Sequence, residues 1–225
     1  MKKGVIITID GPSAAGKGTV ARKLSKRLKI GYLDTGAMYR AIALLSKRKD
    51  VCSEDDSAME ELLRAVRITF FTGEDLTPRV LLNNEDVTEA IRVPDISALS
   101  SDVARCAAVR GWLREMQREI GSSGDIVAEG RDMGTYVFPE AEHKFFLDAS
   151  APERARRRWL ELREKGQDIA LQEVALQMEK RDKQDTERRL APLHPAPDAV
   201  IIDTNTLTAD GVVDYILKAI QGAHG

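Results

Sequence analysis

Nine residues, Gly11-Pro12-Ser13-Ala14-Ala15-Gly16-Lys17-Gly18-Thr19, combine backbone-freeing glycines with a single cation. That combination suits a polyphosphate. A loop free to curl turns successive N–H groups towards one anion, the positive end of a helix starting there adds to the attraction, and the Lys17 ammonium reaches the terminal phosphates. The run is a P-loop that departs from G-x-x-x-x-G-K-[ST] at its final place: Gly18 stands there, and the hydroxyl of Thr19 follows one residue late. The form GKGT differs from the GKS and GKT of most motor and switch NTPases.

Further charged constellations lie downstream. In EGRDMG (129–134) two acids and an arginine follow an apolar run. Arg131 can fork two N–H groups onto a phosphate, and Asp132 can accept from an amino group or position a guanidinium. Arg181, Asp185 and Arg188 are spaced i, i+4, i+7 and share one helical face, and Arg154, Arg157 and Arg158 form a second stripe. Each has a bland alternative: a charged surface loop for the first, a ladder with Glu179, Lys183 and Glu187 for the second, a solvated face with Glu153 and Glu161 for the third. What shifts the weighing is charge supply. Two nucleotides brought phosphate to phosphate repel, and cations on elements that close and exclude water would offset that repulsion. Two arginine-bearing helices joined at Gly166 meet that need. His143, His194 and His224 form no metal or catalytic pattern, and no G-x-S-x-G suggests acyl chemistry. The N-K-x-D and D-x-x-G signatures of nucleotide switches do not occur, which leaves a P-loop kinase for another monophosphate or small metabolite as the nearer alternative.

The elements that must position these residues follow from the apolar pattern. Val5, Ile6, Ile7 and Ile9 suit a strand buried on both faces, and Val20, Ala21, Leu24 and Leu28 recur at helical spacing, so the loop lies between strand and helix. A short strand ending at Leu33, a DTG turn and a helix from near Ala37 come next. Residues 54–64 read as helical, 66–88 as a small antiparallel β insertion, and about 94–121 as helical with a joint at Gly111. Segments 125–130, 144–150 and 199–204 are strand candidates. Helices are expected over about 152–165, 169–189 and 208–221, the last with Thr208 as N-cap. Strands alternating with helices imply an α/β fold, a parallel sheet of about five strands with helices on both faces and ligands beyond the strands' carboxyl ends. Asp10, Asp34 and Glu129 fall at or near such ends.

Composition narrows the class. A chain of 225 residues can bury one sizeable core with a small subdomain, and 43% hydrophobic and 31% charged residues at a net charge of −2 describe an ordinary globular protein. That balance gives no argument for a nucleic-acid polymer or a membrane. Cys52 and Cys106 are far apart and indicate neither a metal cluster nor a disulfide framework. The N-terminal apolar stretch is short and interrupted by Asp10, so no secretory signal is expected and a cytoplasmic protein is the default.

At GPSAAGKGT, DTGAMYR, EGRDMG and RDKQDTERRLAPL the chain resembles the bacterial cytidylate kinases, within the nucleoside monophosphate kinases, from residue 4 to about 220. GKGT is shared with adenylate kinases, whereas EGRDMGT with RDxxDxxR and APL is narrower. The resemblance implies a P-loop kinase fold and transfer of the γ-phosphoryl of ATP to CMP or dCMP with Mg²⁺. It implies a core of about 1–53, 122–152 and 190–225, a monophosphate-binding insert of about 54–121 and a helical lid of about 153–189. By the same resemblance Gly11, Pro12, Ser13, Ala14, Ala15, Gly16, Lys17, Gly18 and Thr19 would hold the ATP phosphates, with Thr19 near the metal and Glu129 holding it through water. Thr35, Arg40 and Arg131 would bind the acceptor's phosphate, Ser101, Arg110 and Asp132 cytosine, and Asp185 the sugar. Arg157, Arg181 and Arg188 would close over the transferring group, Arg188 also meeting CMP. Ala14 stands where the family often has glycine. A monomer with ATP and CMP or dCMP as its partners is expected.

Overall fold

Short apolar strands alternate with amphipathic helices along the chain, and the computed structural model, which describes residues 4–72 and 78–222, resolves them into two kinds of sheet. Residues 73–77 of the expected β insertion and His224 lie outside the described residues. In chain order the elements are β1 (Ile6–Asp10), α1 (Lys17–Leu28), β2 (Gly31–Asp34), α2 (Thr35–Lys49), α3 (Asp56–Arg64), β3 (Ile68–Thr72), β4 (Pro78–Leu82), β5 (Glu85–Asp86), α4 (Pro94–Val103) and α5 (Ala107–Ser122). They continue with β6 (Ile126–Glu129), a π-helical turn (Met133–Val137), β7 (His143–Asp148), α6 (Ala151–Glu164), α7 (Leu171–Glu187), β8 (Val200–Asp203) and α8 (Ala209–Gly222). The chain divides into two compact units, Met1–Asp34 with Arg118–Gly225, and Thr35–Gln117.

The first unit is built on a five-stranded parallel sheet of order β2-β6-β1-β7-β8. β1 is central, and on its two sides the chain crosses over in opposite directions, the position at which open α/β sheets bind ligands. Ile7 and Ile9 are sealed against Val20, Ala21 and Leu24 of α1 and Val212, Val213 and Ile216 of α8. Each such side chain stabilises the fold by about 1.5–3 kcal/mol on burial. The alternate residues, Thr8 and Asp10, are also buried and meet the π-helical turn at Gly134 and Met133. α8 begins as expected: Thr208 Oγ1 accepts from the Gly211 N–H at 3.1 Å. α6 and α7 pair through Ala155, Leu162, Val174 and Met178, with Gly166 at φ +77° between them.

The second unit packs α2 with α4 and carries a three-stranded antiparallel sheet of order β3-β4-β5. Ile68 pairs with Leu82 and Phe70 with Val80. β4 and β5 are joined by Asn83 and Asn84 at φ +50° and +69°, the two-residue turn with both centres left-handed that asparagine tolerates best after glycine.

Three local expectations need correction. DTG is not a free turn: α2 starts at Thr35 directly after Asp34, two residues ahead of Ala37. The helical stretch from Pro94 does not break at Gly111, which lies inside α5 with open space beside it. It breaks at 104–106, where the carbonyl of Ala104, left without an intrahelical partner, accepts from Arg110 Nη1 at 3.2 Å. α7 ends at Glu187, so Arg188, extended at φ −61° and ψ 142°, leaves the face it was expected to share with Arg181 and Asp185.

The junction of β1 with the following loop tolerates no side chain. Gly11 has φ +147°, and a Cβ there would collide with the carbonyl of Leu147 on the neighbouring strand. Gly11→Ala is therefore expected to cost about 3 kcal/mol or more of stability, read from urea denaturation of the purified variant.

Candidate active site

Loop 11–16 carries the chain from the carboxyl end of β1 into α1, whose first residue is Lys17. Gly16 at φ +92° and Ala14 at φ +58° curl it. Lys17 is buried, and its Nζ donates to the Pro12 carbonyl at 2.7 Å. Burial, and after it the Arg131 guanidinium, pull its pKa from 10.5 down to about 7, while Glu129 and Asp10 act the other way. Thr19 is exposed on the first turn of α1.

Two acids frame this loop. Asp10 is buried at the end of β1 and accepts from the N–H groups of Met133 (2.9 Å) and Gly134 (2.8 Å). Burial is the larger influence and lifts its pKa from 3.8 to about 6 against those bonds. Asp10 thereby fixes the EGRDMG segment to the strand that ends in the P-loop. Glu129, at the end of the adjacent β6, lies against Gly18: a Cβ at residue 18 would stand 2.8 Å from Glu129 Oε1. A serine or threonine of the commoner pattern would require that carboxylate to shift. Tyr32 donates its hydroxyl to the same oxygen at 2.6 Å, and its own pKa is pushed well above 10 by burial first and Glu129 second.

Arginines gather on a second centre in the same unit. Arg131 Nε donates to Asp185 Oδ2 at 2.9 Å. Arg188, with its side chain 5% exposed, brings Nη2 to 3.8 Å from Asp132 Oδ1 and Nη1 to 3.8 Å from Asp185 Oδ1, while Nε donates to Ala191 of the APL segment at 2.7 Å. Burial pushes the Asp185 carboxyl up, and the charges of Arg131, Arg181 and Arg188 outweigh it, so its pKa falls below 3.8. Arg181 and Arg131 also act on Lys17. The structure therefore brings Arg131, Asp132, Arg181, Asp185 and Arg188 together, and two of them, Arg131 and Arg181, lie within electrostatic reach of the P-loop lysine.

Arg157 stands apart from that group. It donates to Glu153, to Thr204 Oγ1 and to the Thr204 carbonyl. Thr204 Oγ1 in turn lies 3.2 Å from the Ala15 carbonyl and 3.0 Å from that of Asp148. Arg157 is thus seated at the outer flank of the P-loop. Of the stripe on α6, Arg158 pairs with Glu161 as the spacing suggested, but Arg154 turns inward.

The remaining candidates belong to the second unit. Thr35 is buried at the start of α2 and Arg40 is half-buried one turn on. Ser101 is buried on α4, and its Oγ makes no hydrogen bond among the described residues. Such a hydroxyl is costly unless a further group meets it. Arg110, 1% exposed, stacks its guanidinium over the Tyr39 ring at 5.7 Å from the centroid.

Sequence reasoning gave no role to Tyr32 or Thr204, counted Arg154 only in a cationic stripe on one of two closing helices, and placed Asp10 only at a strand end. Asp10 carried a signal: an acid ending a strand buried on both faces must find partners. The others depend on contacts between distant segments, which spacing does not encode.

A central parallel strand running into this loop, with buried guanidinium groups converging near its lysine, defines a P-loop phosphotransferase. Residues 7–222 match the family described as Cytidylate kinase. The chain is 46% identical over 220 residues to the cytidylate kinase of Syntrophotalea carbinolica, covering 98% of this chain and 93% of that protein. It is 47% identical over 214 residues to that of Carboxydothermus hydrogenoformans, covering 95% and 96%. The chain belongs to the cytidylate kinase family. Among solved structures, an uncharacterized protein from Eubacterium ventriosum matches with a TM-score of 0.53 at 14% identity over 98% of this chain and 99% of that one, a likeness of fold alone.

Asp10→Asn keeps the shape but turns an amide donor towards one of the two N–H groups. The variant is expected to lose about 2 kcal/mol of stability, measured by denaturant unfolding at neutral pH.

Proposed function

We propose that this chain transfers the γ-phosphoryl group of ATP to CMP or dCMP, giving ADP and CDP or dCDP. Family membership gives the substrate class, and one observation carries the chemistry: a phosphate loop with its lysine lies within electrostatic reach of a separate set of arginines gathered on Asp185. Two cationic centres suit two phosphate-bearing substrates.

The assignments follow the resemblance and the local chemistry of each unit. The N–H groups of 11–19 and Lys17 take the donor's phosphates. In the first unit Arg131 is assigned to the acceptor's phosphate, Asp132 to the base and Asp185 to the sugar, while Arg181 and Arg188 offset charge on the transferring group. In the second unit Thr35 and Arg40 are assigned to the acceptor's phosphate, and Ser101 and Arg110 to cytosine. The Ser101 hydroxyl, unpartnered among the described residues, and the buried guanidinium of Arg110 support a polar ligand there. A buried polar site rejects a base with the wrong pattern of donors and acceptors, because its own groups are then left unpaired. Arg157, through Thr204 and the flank of the P-loop, is better suited to the donor side than to the transferring group. We read 153–189 as a lid.

Phosphoryl transfer needs the attacking and leaving oxygens in line and the spread charge of the transition state neutralised, so position and cations carry it and no strong base is required. Mg²⁺ fits the oxygen donors present: the exposed Thr19 hydroxyl and the Glu129 carboxylate are hard ligands, too few to hold an ion without phosphate oxygens and water. When bound, the ion would supply positive charge that offsets the negative charge of the donor's phosphates. Tyr32 holds Glu129 in place for that role.

The reading is tested by a coupled assay with ATP and Mg²⁺ against CMP, dCMP, UMP, AMP, GMP and shikimate. The highest kcat/KM is expected on a cytidine monophosphate, and a higher value on any other acceptor overturns the assignment. In the same assay Arg188→Ala is expected to lose turnover by roughly 10³-fold or more while remaining folded. Lys17 yields a pH test. With its pKa lowered to about 7 it is largely neutral at pH 8, and bound phosphates favour its charged form. Calorimetry of ADP binding at pH 8 in buffers of different ionisation enthalpy should show uptake of a sizeable fraction of a proton. That uptake should vanish in Lys17→Ala.

A further inference from the structure

Arg154 holds the crest of the P-loop from outside and has no part in the assignments above. It lies on the first turn of α6 with its side chain 9% exposed. Nε donates to the Ala149 carbonyl at 3.0 Å, and Nη1 to Asp182 Oδ2 on α7 at 2.5 Å and to the Ser13 carbonyl at 3.3 Å. Its neighbours Arg156, Arg157 and Arg158 pair with Glu153 or Glu161 instead.

The peptide it holds is a strained one. Ala14 has φ +58°, a left-handed conformation that a residue with a Cβ keeps when its surroundings impose it. In a planar trans peptide the carbonyl and the following N–H point to opposite sides, so fixing the Ser13 oxygen on Arg154 turns the Ala14 N–H away from it. The Ala14 methyl packs on the cluster of Ala155, Leu162, Val174 and Met178, the apolar seam between α6 and α7. A polar and an apolar contact to the same helix pair thus impose the shape of the loop. Asp182, the acid that anchors Arg154, adjoins Arg181 on α7.

We propose that Arg154 is a positioning residue for the phosphoryl donor: it fixes the Ser13–Ala14 peptide against α6 and α7 and so sets the direction of the loop's N–H groups. The alanine at 14 makes this anchorage necessary, since glycine takes the left-handed conformation unaided. The inference rests on the reading that the loop holds the donor's phosphates.

Arg154→Lys keeps a charge beside Asp182 but lacks the planar fork that serves several acceptors at once. Calorimetry with ADP and with a non-hydrolysable ATP analogue is expected to show binding about tenfold weaker, the loss of one charge-assisted hydrogen bond, with KM for CMP within about twofold of the parent. Adding Ala14→Gly should restore donor affinity to within about threefold, which a merely structural arginine would not allow. Parental donor affinity in Arg154→Lys, or no recovery in a folded double variant, overturns the proposal. Asp182→Asn, which loosens Arg154 without removing it, should weaken donor binding about threefold and decides the matter if the lysine variant does not fold; parental affinity there overturns it equally. A parent chain that fails to bind the analogue would remove the donor reading itself.

Discussion

Like charges crowd a poorly solvated space in this protein, and much of the first unit is arranged around that fact. Arg131 and Arg181 act on Lys17 and, with Arg188, on Asp185, and unit charges of one sign about 4 Å apart repel by roughly 4 kcal/mol at a surface-like effective dielectric. The fold holds them with carboxylates placed at the ends of its own elements: Asp10 on β1, Glu129 on β6, and Asp185 in the last turn of α7. Arg131 and Arg188 converge on Asp185, whose depressed pKa keeps it charged. An arriving phosphate therefore competes with carboxylates already in position, and the cations need little rearrangement to meet it.

The parallel sheet makes this possible. β1 and β6 lie side by side in register, Ile9 opposite Glu129, so the P-loop and the EGRDMG segment leave the sheet at the same level. Asp10 then accepts from two N–H groups of the second segment one residue before the first begins. The lysine and the arginine cluster are thus spaced by backbone hydrogen bonds as well as by side chains.

Much of this was legible in the chain. The strand–loop–helix form of residues 5–24 and the alternation of apolar runs read as a parallel sheet, because a strand covered on both faces leaves a continuous apolar signature. The β3–β5 insertion was readable from β-branched residues broken by Asn83-Asn84. What stayed hidden had long-range causes. At the break between α4 and α5 Arg110 reaches a carbonyl six residues back, a contact spacing does not announce, and a lone glycine at 111 was a weaker signal than it looked. Arg188 leaves its helical face because the APL segment and Asp132 draw it elsewhere. Arg154 and Arg157 share a stripe on paper, yet one turns to Ser13 and the other to Thr204, and only packing separates them.

The contact between Gly18 and Glu129 bears on how such loops spread among proteins. A phosphate loop looks like a portable cassette, a short stretch that could be exchanged between folds without regard to its host. Here the cassette is keyed to its frame. A loop of the GKS kind grafted into this sheet would bring its serine against the Glu129 carboxylate, which would have to shift from the position in which Tyr32 holds it. Strand and loop are thus fitted to each other here, across more than a hundred positions of sequence.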